Sequence, residues 1–256
     1  MGPIGGEAVE LRFFAELRDL LPRAHRSGRI CHPHIPTQSV KDLIESYGVP
    51  HTEVDVIIAE GVSVGFDYRP RAGDHVGVYP VFESFDISPL LRLRPAPLRQ
   101  TRFVLDGHLG TLARRLRLLG FDCRYARAAT DEELVTSSVH ERRILLTRDR
   151  GLLRRKAVTH GYLLRSDQPR AQVLEVVRRF QLSGSIDPFS RCPACNAELV
   201  PVAKADIAHR LPPLTRRHYH EFRSCPACGR DYWRGAHHRR LADLVAQARA
   251  ADGSGA

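Results

Sequence analysis

Two copies of one tetrapeptide, Cys192-Pro-Ala-Cys195 and Cys225-Pro-Ala-Cys228, constrain this chain more than any other feature. A Cys-x-x-Cys turn presents two thiolates to one ion, and two such turns complete the tetrahedral set of four used by structural zinc sites. The segment between them, residues 196–224, is long enough for a zinc ribbon carrying an inserted hairpin. Asn196 and Gly229, directly after the two pairs, are turn formers, as a metal knuckle needs. With all four positions filled by Cys192, Cys195, Cys225 and Cys228, the expected Zn2+ is structural rather than catalytic. A redox pair of the thioredoxin type would need a single Cys-x-x-Cys opening a helix after a strand, and two matched copies argue against it. His218, His220, His237 and His238 are alternative ligands that four cysteines make unnecessary. Cys31 and Cys123 fall in no pattern and read as ordinary thiols.

That cysteine usage suits a reducing compartment, and the cytoplasm is expected. No apolar run approaches the ~18–20 residues of a membrane span. The first residues, MGPIGGEAVELRFFAEL, lack the basic start and apolar stretch of a signal peptide. The formal charge of +10 is unevenly spread. Residues 1–100 carry 11 Lys and Arg against 13 Asp and Glu, whereas residues 101–256 carry 28 against 16. The second part, net +12, is expected to face a polyanion.

The first ninety residues alternate strand patterns around one helix. Residues 8–14, 54–58 and 75–79 read as strands, and residues 39–47 read as a short helix stopped by Gly48. A small α+β sheet with a helix on one face follows. Ser88 to Arg99 contains three prolines and reads as a stiffened linker. From Thr101 the rhythm becomes β-α-β-α. Strands are expected at 103–105, 121–125, 144–146 and 161–164, separated by helices. Leu109, Leu112, Leu116 and Leu119 mark the first helix; Thr130 and Glu133 form a capping box for the second; Pro169 opens the last. Strands and helices alternating at this spacing imply a doubly wound parallel sheet.

Acidic residues punctuate that sheet. Asp106 follows the first strand, Asp131 and Glu132 open the helix after the second, Asp149 follows the third, and Asp167 follows the fourth. In a parallel sheet the carboxyl ends of the strands share one edge, where α/β proteins bind their ligands, so these acids are expected to converge. Clustered carboxylates need a compensating cation, and Mg2+ or Mn2+ takes oxygen ligands. An acidic pocket in a basic domain suits metal-assisted phosphodiester hydrolysis. Asp131, Glu132 and Asp149 taken singly also have a plain role as helix caps, which Asp106 fits less well. Arg114, Arg115, Arg117, Arg142, Arg143, Arg148, Arg150, Arg154, Arg155 and Lys156 supply candidates for a nucleic-acid face. Tyr232, Trp233 and Arg234 suit base stacking, although Tyr232 and Trp233 also suit packing against the knuckle as its small core, the role preferred for Trp233.

The run from Phe103 through Asp106-Gly-His-Leu109-Gly110 to Gly120-Phe-Asp122, then Asp131-Glu132-Glu133-Leu134, then Thr147-Arg148-Asp149, resembles the Mut-seven-C RNase family. The likeness continues through Pro188-Phe189-Ser190-Arg191-Cys192 to Cys225 and on to Tyr232-Trp233-Arg234-Gly235. That family is a variant of the PIN nuclease fold, so the resemblance implies a divalent-metal ribonuclease. It carries over to Asp106 and Asp149, to Asp131 or Glu132, and to Asp167. Arg114 and Arg148 are separately expected to bind substrate, Arg148 through phosphate. Residues 7–85 resemble the ubiquitin-like β-grasp domain that accompanies this RNase in some members. A sulfur-carrier role for that domain lacks the free C-terminal Gly-Gly it would require, which leaves substrate docking or recognition of a protein partner.

The expected chain is therefore α/β: a ubiquitin-like β-grasp domain over 1–90, a linker over 91–100, a PIN-like RNase domain over 101–185, a zinc ribbon over 186–245 and a disordered tail over 246–256. The expected function is a metal-dependent ribonuclease acting on RNA, with the zinc ribbon aiding RNA binding. The rivals are a non-catalytic RNA-binding or ribosome-associated module, in which the acids only cap helices, and an adaptor recruiting a protein partner.

Overall fold

A computed structural model describes residues 8–80, 101–233 and 238–250. The predicted linker at 91–100, Arg234 and His237 lie outside the described residues. The chain divides into two compact units, residues 1–99 with 147–163, and residues 100–146 with 164–256.

The first unit begins with β1 (Ala8–Phe13), α1 (Leu17–Leu20), β2 (Arg29–Pro33), α2 (Val40–Ser46), β3 (Val56–Ala59), β4 (Val62–Val64) and β5 (His75–Tyr79). They form one sheet in the order β2-β1-β5-β3-β4, with β1 and β5 parallel and the other described pairs antiparallel. This mixed five-stranded sheet is the ubiquitin-like architecture. In β1, Val9, Leu11 and Phe13 are buried while Arg12 between them is exposed, the period-2 alternation of a strand with one buried face. In α2, Ser39 accepts the Asp42 amide as N-cap, and Val40, Leu43 and Ile44 are buried. Strands β2 and β4 escape a sequence reading because they bury almost nothing: one residue is buried in β2 and none in β4. The β3–β4 turn uses Glu60 and Gly61, both at positive φ, where Asn-Gly is the usual signal.

From Arg102 the chain runs β6 (Arg102–Leu105), α3 (Gly110–Leu118), β7 (Asp122–Tyr125), α4 (Asp131–His140), β8 (Ile144–Thr147), α5 (Arg150–Arg154), β9 (Gly161–Leu163) and α6 (Pro169–Arg179). The strand order is β7-β6-β8-β9, and β6 is parallel to both β7 and β8. The step from β6 to β7 and the step from β7 to β8 run in opposite directions across the sheet. Right-handed crossovers therefore place α3 and α4 on opposite faces, a doubly wound arrangement. The predicted leucine stripe forms the core here: Leu112, Leu116 and Leu119 are fully buried beside Phe103, Leu105 and Leu145.

The remainder contains β10 (Val200–Val202), α7 (Lys204–Ile207), α8 (Pro213–His218), β11 (Phe222–Ser224), β12 (Asp231–Trp233) and α9 (His238–Ala250). β10, β11 and β12 make a small antiparallel sheet. The sequence predicts a disordered tail from residue 246, but α9 continues to Ala250. Leu244 and Ala248, one helical turn apart, are buried, and Arg170 Nε donates to Gln247 Oε1 at 3.0 Å. Residues 251–256 lie outside the described residues.

Candidate active site and metal centre

Asp106 immediately follows β6, partly buried, and its amide donates to the Leu146 carbonyl at 3.1 Å. The turn it opens is tight for a reason visible in the next residues. A Cβ on Gly107 would stand 2.6 Å from the Arg127 carbonyl oxygen, and the Tyr125 hydroxyl donates to the Gly107 carbonyl at 2.8 Å. Glycine at 107 thus allows the acid to sit on a rigid strand-to-helix turn. The Asp106 carboxylate lies 3.3 Å from His108 Nδ1.

Asp131 and Glu132 occupy the exposed first turn of α4. The predicted capping box is present: Thr130 accepts the Glu133 amide, and Glu133 accepts the Thr130 amide at 2.8 Å. Asp149 is exposed and caps α5, accepting the Gly151 amide at 2.7 Å, while its own amide donates to the buried Thr147 Oγ1 at 2.9 Å. Asp167 is exposed ahead of α6. Among the described residues of the second unit, Asp106, Asp131, Glu132 and Asp167 are not gathered into a close set of metal-ligand atoms.

Arg114 and Arg148 are exposed, as phosphate contacts need to be. Two other members of the predicted basic face are not on a surface at all. Arg117 and Arg143 are buried, and each is consumed by internal hydrogen bonds. Arg143 Nη1 donates to Asp122 Oδ1 at 2.7 Å and Arg143 Nε donates to Glu141 Oε2 at 2.7 Å. The Arg117 guanidinium donates twice to the Cys123 carbonyl, at 2.9 and 2.7 Å, and onward to the Ala194 carbonyl at 3.0 Å.

The four cysteines do converge. The Sγ atoms of Cys192, Cys195, Cys225 and Cys228 lie within 4.8 Å of one another. Cys192 and Cys228 are 3.7 Å apart and Cys195 and Cys225 3.3 Å apart. A Zn2+ bound at about 2.3 Å from each of four sulfurs would hold them roughly 3.8 Å apart, so the cage suits that ion. The two knuckles repeat one backbone design. The Cys192 amide donates to the Ala197 carbonyl and the Asn196 amide to the Cys192 carbonyl; the Cys225 amide donates to Arg230 and the Gly229 amide to Cys225. Asn196 and Gly229 hold the same left-handed position, with φ of 75° and 69°. Burial works against ionising Cys192, but hydrogen bonds from the Tyr232 hydroxyl and the Cys195 and Ala194 amides outweigh it and bring its thiol down to about 6. Tyr232, correspondingly raised by burial and by that bond, packs on the knuckle cluster of Cys192, Leu199 and Cys225. Trp233 packs instead on a second cluster of Ile207, Leu211 and Phe222, so it is the tyrosine that covers the metal knuckle.

One structural element was invisible to the sequence reading. Asn196 closes the first knuckle and also reaches β7: its Nδ2 donates to Asp122 Oδ1 at 2.7 Å, and its Oδ1 accepts the Cys123 amide at 2.9 Å. With Arg117 and Arg143, this ties the metal centre to the edge of the RNase sheet through buried polar groups. Burial opposes ionisation of Asp122, but its bonds from Arg143 and Asn196 leave its pKa lowered. Cys123, within the same network, is fully buried, and burial raises its thiol pKa, consistent with an inert role.

In the first unit, the chain after β8 is held by the ubiquitin-like sheet domain. Arg150 Nη1 donates to the Leu20 and Gly48 carbonyls at 3.1 and 3.2 Å, and Arg154 Nη2 donates to the Glu45 carbonyl at 2.7 Å. Buried His51 bonds Glu45 Oε1 at 2.7 Å through Nδ1 and the Val158 carbonyl at 2.8 Å through Nε2. Glu53, 1 % exposed, accepts the Leu163 amide at 2.6 Å. Polar residues buried this completely in residues 51–53 are the signal that a sequence reading passes over.

A mixed β-sheet domain of ubiquitin type, a parallel α/β sheet and a four-cysteine cluster suited to zinc together define a multidomain α/β class of protein. The chain matches the Mut7-C RNAse domain over residues 101–245 and the Mut7-C ubiquitin domain over residues 6–86, and it belongs to the Mut7-C RNAse domain family. No curated protein and no solved structure matches it. Among the described residues no helix is long and apolar enough to cross a membrane.

Proposed function

We propose that the chain is a divalent-metal-dependent ribonuclease with a PIN-like catalytic domain, working in the cytoplasm, where its zinc thiolates stay reduced. The observation that carries this is the β6–β8 register. Leu105 pairs with Leu146 in parallel strands, so the carboxyl ends of β6 and β8 share one edge of the sheet, and Asp106 directly follows β6 there. Asp106 and Asp149 would hold Mg2+ or Mn2+, with Asp131 or Glu132 and Asp167 as further oxygen ligands. A hard cation bound through one or two carboxylates keeps its other positions for water and substrate phosphate, so a closed protein cage is not required. When bound, such an ion activates water and stabilises charge on the scissile phosphate. The protein's own part is to fix Asp106 on its glycine-bounded turn, to hold Asp149 through the Thr147 hydroxyl, and to bind phosphate with Arg148 and Arg114. The zinc ribbon is structural and extends the basic surface for RNA.

The capping bond from Asp149 to the Gly151 amide favours a second reading, a non-catalytic RNA-binding module. The ubiquitin-like domain, besides holding residues 147–163, would also offer a surface to a protein partner. The test is metal add-back to zinc-loaded, divalent-free protein. The ribonuclease predicts RNA cleavage restored by Mn2+ or Mg2+; RNA binding with no cleavage under any divalent ion supports the binding module instead.

A further inference from the structure

A groove of about 330 Å³ opens on the zinc ribbon, lined by Phe189, Trp233, Tyr232, His220, Glu221 and Arg223, with Pro188, Pro201, Val202 and Phe222. Two features set it apart from an accidental crevice. Its walls combine aromatic rings with a carboxylate, an imidazole and a guanidinium, the mixture that stacks a base and reads its edge. Phe189 sits at φ 67°, a left-handed conformation that a bulky residue rarely adopts. Such strain persists where surrounding structure over-determines it, often at ligand clamps.

The surrounding structure here is identifiable. The Asp187 amide donates to the Leu119 carbonyl at 3.0 Å, the Ser190 hydroxyl donates to the Asp187 carbonyl at 2.7 Å, and the Leu199 amide donates to the Ser190 carbonyl at 2.8 Å. A Cβ on Gly120 would stand 2.3 Å from the Asp187 carbonyl oxygen, so the loop bearing Phe189 is clamped against the end of α3. The opposite wall is the β10-β11-β12 sheet, in which Phe222 pairs with Trp233 and Arg223 with Tyr232. Phe222 and Trp233 rings lie 6.4 Å apart, which fixes the indole while leaving it half-buried. Directly before the groove, Arg216, Arg217 and His218 are exposed, followed by exposed His220.

We propose that this groove is a nucleobase pocket: a flipped-out or single-stranded base stacks between Phe189 and Trp233, while Arg223 and the Arg216-Arg217-His218 run hold the adjoining phosphates. Glu221 accepts a base amino group, so bases with an exocyclic amine are favoured over uracil. The pocket deepens the ribonuclease proposal by defining the substrate as single-stranded RNA, and in that sense rests on it. An occupant of another class, a peptide presenting an aromatic or proline side chain, is disfavoured by the run of positive charge beside the opening.

The chain's single tryptophan makes the test direct, because Trp233 is the only indole that can report. Zinc-loaded full-length protein is titrated with AMP, CMP, GMP and UMP, and with fluorescein-labelled single-stranded and duplex RNA, in divalent-free buffer. The expected result is saturable quenching of Trp233 by single-stranded RNA and by the amino-bearing nucleotides, weaker for UMP and for duplex. Phe189→Gly relieves the φ strain while removing the ring. It is expected to keep or raise the melting temperature yet weaken single-stranded RNA binding by roughly 5- to 100-fold, the value of one stacked base. RNA binding seen by anisotropy without any change at Trp233, or unchanged affinity in Phe189→Gly, overturns the pocket. Quenching by a proline-rich peptide but by no nucleotide also overturns it. Nucleotide quenching in a protein that never cleaves RNA leaves the pocket standing and removes only the nuclease.

Discussion

Asn196→Gly isolates the tie between the metal centre and the RNase sheet. Glycine accepts the φ of 75° as readily as asparagine, so the knuckle backbone is kept and only the side chain is lost. What disappears is the Nδ2 bond to Asp122, whose side chain is 16 % exposed, and the Oδ1 bond from the Cys123 amide. A hydrogen bond to a charged partner contributes about 1.5–3 kcal/mol, and stranding a buried amide costs about 1–3 kcal/mol. Partial access of water to Asp122 and the relief of left-handed strain offset part of this, leaving a loss of about 3 kcal/mol. For a unit of this size that is a fall of roughly 6–12 °C in Tm. Trp233, in the same unit, gives a fluorescence-monitored melt of this unit, run on zinc-loaded protein with zinc content measured before and after. A shift below about 2 °C with zinc retained would refute the claim that Asn196 couples the knuckle to β7.

Three further outcomes follow from the same geometry. Asp122 has a lowered pKa in the folded chain, so its stabilisation is complete above the unfolded carboxyl value of about 3.9 and is lost as pH falls through the folded value. The stability gap between wild type and Asp122→Asn is therefore wide at pH 6 and narrows below about pH 4 in urea melts; a gap that widens on acidification would reverse the sign. Glu53→Ala removes a buried acceptor and strands the Leu163 amide, a loss of about 2 kcal/mol or more, with hydrogen exchange of that amide accelerated. Protection of Leu163 unchanged in the variant would contradict the bond. Replacing Cys195 and Cys228 together by Ser lowers bound zinc from one ion per chain to none, by absorbance with a metallochromic chelator, and broadens the melt of the second unit; a full ion retained would show that other ligands hold it.

The legible parts of this chain were those written in local chemistry. The two Cys-Pro-Ala-Cys turns, the Thr130–Glu133 capping box and the α3 leucine stripe each announce their structure within a few residues, and all are present. What escaped was set by tertiary context. Arg117 and Arg143 look like members of a basic face because nothing local says that Asp122, Glu141 and four backbone carbonyls will consume their donors. His51 and Glu53 look like loop residues, yet each bonds a backbone group more than a hundred residues away. β4 is three residues long with an exposed valine at its start, and pairing with β3 rather than burial is what makes it a strand. α9 beyond residue 246 is helical because Leu244 and Ala248 have a surface to bury against, which composition alone does not reveal.

The central claim is that Asp106 and Asp149 do chemistry rather than cap helices. Its most direct test is the Asp106→Asn/Asp149→Asn double variant, shown to be folded and zinc-loaded, with cleavage and affinity measured side by side on one labelled single-stranded RNA in Mn2+. The account predicts cleavage reduced by at least about 100-fold with Kd within a few-fold of wild type, since metal-assisted steps lose several kcal/mol when ligands are neutralised. Equal cleavage by wild type and variant would contradict it and leave Asp149 with its helix cap alone.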